Sequence, residues 1–68
     1  MNTYEGIVRS FDAARGVGVV TVDDEGIDYP FHCTAIADGT RTIEPGTRVR
    51  FEITAGLGHW EAATLERV

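Results

Sequence analysis

Apolar and polar residues exchange places at every second position over short stretches of this chain, and turn-forming residues separate those stretches. The alternation is cleanest over residues 48–54, where Val49, Phe51 and Ile53 fall on one side and Arg48, Arg50 and Glu52 on the other. A period of two is the signature of a half-buried strand. Residues 4–11, with Ile7 and Val8 at their centre, predict a first strand. Residues 17–22, rich in the β-branched side chains that suit a pleated surface, predict a second. Between these two, residues 12–16 form a turn by composition. The clearest turn is Asp23-Asp24-Glu25-Gly26, where aspartate can bond back to its own backbone and glycine supplies a positive φ.

Residues 27–33 follow as a third strand, residues 34–46 as an irregular connection opening with one helical turn at 34–37, and residues 60–68 as the last strand after a break at 55–58. No stretch has the length and 3.6-residue period of a helix. Five short strands joined by glycine-containing turns predict an all-β domain over residues 1–68, a small antiparallel barrel whose closure removes exposed edges. Val8, Val20, Val49, Phe51, Ile53 and Leu65 are its expected core.

Size and charge narrow the function. Sixty-eight residues make one domain with a modest core. A single cysteine, Cys33, rules out an internal disulfide and fits a reducing cytoplasm. No apolar run nears the roughly 18–20 residues needed to span a bilayer, and the start Met1-Asn2-Thr3-Tyr4-Glu5 lacks the basic and apolar segments of a signal peptide. A cytoplasmic protein without membrane contact is expected. Six basic residues, all arginine, against 11 acidic ones give a net charge of −5, which argues against a strong overall grip on phosphates.

Nothing in the sequence has the spacing of an enzyme. Asp23, Asp24, Glu25 and Asp28 have no nucleophile or base beside them and are expected to be solvated turn acids. Cys33, His32 and His59 do not make a zinc set, so no metal and no cofactor is expected.

Several segments, in this order and with these gaps, carry a resemblance. Gly6-Ile7-Val8-Arg9-Ser10-Phe11-Asp12 resembles the G-x-V-K-W-F-N opening of the bacterial cold-shock domain. Arg15-Gly16-Val17-Gly18-Val19-Val20 is similar to that family's first ribonucleoprotein motif, K-G-F/Y-G-F-I. Tyr29-Pro30-Phe31-His32-Cys33 falls where its V-F-V-H-F stands, Thr34-Ala35-Ile36 resembles S-A-I, and Glu44-Pro45-Gly46-Thr47-Arg48-Val49-Arg50-Phe51 resembles the lead into the fourth strand. The likeness covers roughly residues 5–68.

The resemblance implies an OB-type barrel that binds single-stranded RNA or DNA on an aromatic face of its first three strands. Bases stack on such rings while basic residues follow the phosphates. By that correspondence Arg9, Phe11, Arg15 and His32 are the expected contacts, with Val17, Val19 and Phe31 as apolar neighbours. Alternation turns Phe31 inward if His32 faces out, and a bulge near Ser10 would let Phe11 face outward.

The chain departs from the family at this face. Ser10, Val17, Val19, Pro30 and Cys33 stand where the family carries rings. At ~1–3 kcal/mol of stacking per base, even a non-additive loss is on the order of 3–5 kcal/mol, or some 10²–10³-fold in affinity. Weakened or altered binding is therefore expected. The alternative is a barrel that has given up nucleic acid and uses the same face for protein interaction or self-association, since an exposed apolar patch marks a contact surface. Trp60 stands where family members often carry proline and is expected to cap the barrel end by packing, the alternative being that it replaces some of the lost aromatic surface.

Overall fold

The computed structural model describes residues 3–56 and 58–68. Of the start read above, Met1-Asn2-Thr3-Tyr4-Glu5, the first two residues lie outside the described residues, as does Leu57 in the fourth connection. Among the described residues five strands form one antiparallel sheet: β1 (Thr3–Asp12), β2 (Val17–Val22), β3 (Asp28–His32), β4 (Arg48–Ala55) and β5 (Trp60–Arg67). Their order across the sheet is β3-β2-β1-β4-β5, and the outer strands β3 and β5 pack against each other, so the sheet curls into a small barrel. The all-β expectation and its five strands hold within a residue or two at each end. Pro30, which has no N–H to give a ladder, sits on outer strand β3. No helix of the described residues is long and apolar enough to cross a membrane.

The helical turn falls one residue earlier than its composition suggests, as a 3₁₀ turn over Cys33–Ala35. It delivers Ile36 to a parallel bridge with Leu65, and the Ala37 N–H donates to the Leu65 carbonyl at 2.8 Å. The irregular connection that follows is tied down at its far end, where Gly46 N–H donates to the Val8 carbonyl at 2.7 Å and Val8 N–H to the Thr47 carbonyl at 2.9 Å. Ile43 consequently enters the core although no period announces it.

Alternation fills the barrel. Val8, Val20, Val49, Phe51 and Leu65 are the largest fully buried side chains, as expected, and Val22, Phe31, Ile36 and Ala62 complete the core with Ile43. Ile53 differs from its expectation. It is half-buried near the end of β4, where it packs against the core from the rim of the barrel. Gly6 lets β1 and β2 approach closely, since a Cβ at that position would run into the Thr21 carbonyl.

Two irregularities set side-chain parity. One lies between Val8 and Ser10 of β1, where two steps on β1 match one on β2. The other lies between β4 and β5, where Arg50 pairs with Glu66 and Glu52 with Ala63. The second places Thr64 at a φ of 54°, a left-handed conformation that a β-branched side chain rarely accepts.

Candidate nucleic-acid interface

Strand parity builds the outer face of β1–β3. On β2, Gly18, Val20 and Val22 point inward, while Val17, Val19 and Thr21 are half-exposed on the outside. The register then lays out rows across the three strands. Asp12, Val17 and His32 form one row, Ser10, Val19 and Pro30 the next, and Ile7, Thr21 and Asp28 the third. A shallow depression of about 380 Å³ between them is lined by Phe11, Arg15, Val17, Val19 and Pro30, with Ser10 and Asp12 at its β1 wall.

The β1–β2 turn carries Arg15 to this depression. Asp12 Oδ1 accepts from the Ala14 N–H at 3.1 Å and the Arg15 N–H at 3.2 Å, and Gly16 N–H donates to the Asp12 carbonyl at 2.8 Å. Gly16 takes a φ of 68° to close the turn. The Arg15 guanidinium has no hydrogen bond or ion pair among the described residues, so its charge is uncompensated.

Arg9 is in a different situation. Its Nη1 lies 2.5 Å from Asp28 Oδ2, and Thr21 Oγ1 donates to the other oxygen of the same carboxylate at 2.7 Å. The Thr21 hydroxyl first, and the Arg9 charge after it, hold the Asp28 carboxyl below the ordinary carboxylate value. Arg9 and Asp28 are 19 positions apart, and only the pairing of β1 with β2 and of β2 with β3 brings them together.

Phe31 is not the apolar neighbour of the site that the resemblance implies, but turns inward as alternation with an outward His32 requires, and the expected effect of the bulge on Phe11 needs correction. Phe31 is only 2% exposed, because the same alternation that turns Pro30 and His32 outward turns Phe31 inward. Its ring lies beneath Gly18, where a Cβ would come within 2.6 Å of Phe31 Cζ. The bulge near Ser10 exists, but it acts opposite to expectation. It brings Ser10 out beside Val19 and lays Phe11 opposite Gly18, so the Phe11 ring stacks on Phe31 at 6.0 Å and 15°. Phe11 is half-buried, reaching the depression from its side.

His32 is fully on the outside but stands at the edge of a second depression of about 490 Å³, which runs along Thr34, Ile36 and the β5 residues Ala62 to Thr64. The structure therefore gathers Phe11, Arg15, Val17 and Val19 in one depression, sets His32 beside it in register with Val17, pairs Arg9 with Asp28, and buries Phe31.

This chain matches the model of the 'cold-shock' DNA-binding domain over residues 4–68. It belongs to the cold-shock domain family. Among curated proteins, this cold-shock domain is 39% identical over 66 residues to the cold shock-like protein CspE of Escherichia coli (strain K12), covering 96% of both chains. It is 34% identical over 65 residues to the cold shock-like protein CspG of Shewanella violacea, with 94% and 93% covered. With the cold shock-like protein CspA of Stigmatella aurantiaca it shares 44% over 52 residues, covering 75% of this chain and 76% of the other.

Within the cold-shock domain, reasoning from sequence missed the Arg9–Asp28 pair and the exposure of Trp60. The ring of Trp60 does not pack away as expected and is 62% exposed. It opens β5 directly after a turn closed by the Gly56 N–H donating to the His59 carbonyl at 2.6 Å.

Proposed function

We propose that this cold-shock domain binds single-stranded RNA or DNA on the outer face of β1–β3, and binds it more weakly than a domain with a complete ring platform. The observation that carries the reading is the composition of the outward rows. Ser10, Val19 and Pro30 fill one row and Asp12, Val17 and His32 another, so His32 carries the single aromatic ring among these six positions. Valine and proline offer bases an apolar wall without a π-face, and His32 and the edge of Phe11 supply what stacking remains. The depression beside Arg15 gives one phosphate a free cation, and Arg9 gives a second when it leaves Asp28.

Salt dependence tests this. Two phosphate contacts at ~0.7 per contact for single strands give a log–log slope no steeper than about −1.4. Titration of fluorescent oligothymidylate and oligouridylate at low and physiological salt should give weak, saturable binding with a slope between about −0.7 and −1.4. A steeper slope would mean that a different, more basic surface is in use.

A second reading has its own observation. The face carries Arg9 and Arg15 against Asp12 and Asp28, a balance of charge that suits a protein-contact or self-association surface better than a phosphate track. Absence of oligonucleotide binding at low salt, with concentration-dependent self-association through Val17 and Val19, would put this reading first.

A further inference from the structure

At the far end of the barrel from Phe11 lies an aromatic cleft that the β1–β3 face does not include. Tyr4 near the start of β1, Tyr29 near the start of β3, Ile53 near the end of β4 and Trp60 at the start of β5 line a cleft of about 350 Å³. That volume falls within the range of about 300–1,000 Å³ typical of ligand sites. Its floor is rigid. Tyr4 stacks on the buried ring of Phe51 at 6.3 Å and 29°, and Tyr29 and Ile53 pack against the same core. Trp60 rises from this floor 62% exposed, the largest exposed apolar side chain of the described residues.

The charges nearest the cleft have an acidic balance, three carboxylates against two arginines. Tyr4 continues into an adjoining depression of about 290 Å³ lined by Glu5, Asp23 and Asp24. Arg48 and Arg50 engage Glu5 and Asp23, with Arg48 2.6 Å from Asp23 and Arg50 3.1 Å from Glu5. The side chains of Asp24, which lines that depression, and of its neighbour Glu25 in the β2–β3 turn form no hydrogen bond or ion pair among the described residues. Glu61 follows Trp60 and contacts His59. No arginine lines the cleft, and the chain contains no lysine.

We infer that this cleft docks a basic segment of a partner protein, one in which an arginine or lysine is flanked by apolar side chains. The apolar side chain fills the space over Tyr4, Tyr29 and Ile53. The cation lies against Trp60, the side chain that attracts cations most strongly through its ring face. The uncompensated carboxylates steer it there and repel phosphates, so the occupant is a cationic peptide and not a nucleic-acid strand.

The test uses a fluorescein-labelled pentapeptide of alternating leucine and arginine, followed by anisotropy, with a leucine–glutamate peptide as control. Saturable binding is expected for the basic peptide alone, weakening several-fold as salt rises from low to high. Trp60→Ala should lower affinity at least tenfold, and Trp60→Phe, which keeps a ring, should retain part of it. Asp24→Asn with Glu25→Gln should weaken binding and flatten the salt dependence. Far-UV circular dichroism checks the fold of each variant, and the exposure of Trp60 predicts unchanged spectra. Equal binding of the acidic peptide, or indifference to both Trp60 variants, would overturn the inference. So would competition by oligothymidylate for the bound peptide, which would assign the cleft to nucleic acid. Binding of oligothymidylate to the β1–β3 face should survive Trp60→Ala.

Discussion

Replacing Val17 and Val19 together by phenylalanine tests whether missing rings are what limits single-strand binding. Both side chains point outward on β2, between Asp12 and His32 in one row and between Ser10 and Pro30 in the next. Directly opposed side chains on neighbouring strands stand about 4.5–5.5 Å apart at Cβ, so a ring at position 17 would sit beside the His32 imidazole and share a base with it. Each ring is worth ~1–3 kcal/mol per stacked base. Taking the lower end and discounting for non-additivity leaves ~1.4–2 kcal/mol, or about ten- to thirtyfold in affinity.

Stability should change by less than ~0.5 kcal/mol, because outward rings do not crowd the core and aromatics suit strands. Gly18→Ala is the matching control on the inward side, since its Cβ would lie 2.6 Å from Phe31 Cζ and 2.7 Å from the Ser10 carbonyl. Overpacking of that kind costs ~1–3 kcal/mol or more. Anisotropy with labelled oligothymidylate at fixed salt reads the affinity, and urea denaturation reads the stability. His32→Ala added to the double variant should remove part of the gain. A double variant destabilised as much as Gly18→Ala would invert the parity of β2. One that folds with unchanged affinity would refute the stacking argument and favour the protein-contact reading of this face.

Other outcomes follow from the same geometry. Arg15→Gln, which removes the unpaired cation beside the depression, should weaken oligonucleotide binding and reduce the salt slope by ~0.7. The lowered pKa of Asp28 links its pairing to pH: the stability it contributes is present above the ordinary value of 3.8 and is lost as pH falls through the lowered value. A stability difference between wild type and Asp28→Asn should accordingly be present at pH 7 in urea melts and vanish in acid. At pH 7 the same substitution frees Arg9 and should tighten single-strand binding. Thr64→Asn should relieve the φ of 54°, since asparagine tolerates the left-handed region, for a gain of ~0.5–1 kcal/mol. In a domain of this size that raises Tm by about 2–8 °C, readable by thermal circular dichroism.

The strands and most of the core were legible in the sequence because burial on one face of a sheet is written as a period of two. Residues 48–54 show it, and Val8, Val20, Val49, Phe51 and Leu65 lie where it puts them. The same period exposes His32 and buries Phe31, so the inward turn of Phe31 could be read before any coordinates existed. The order of motifs, covering nearly the whole chain, also carried the family. Other features depend on events that have no local signal. A bulge adds one residue to one strand and inverts every side chain beyond it, and its position between Val8 and Ser10 decided that Ser10 faces out and Phe11 leans on Phe31. Ile43 is buried because backbone bonds anchor its connection to β1, which its irregular surroundings do not announce. The pairing of Arg9 with Asp28, and the convergence of Tyr4, Tyr29, Ile53 and Trp60 from four strands, arise from register and barrel closure. Periodicity says which way a side chain points along its own strand, while its neighbours across the sheet are set by how the strands pair.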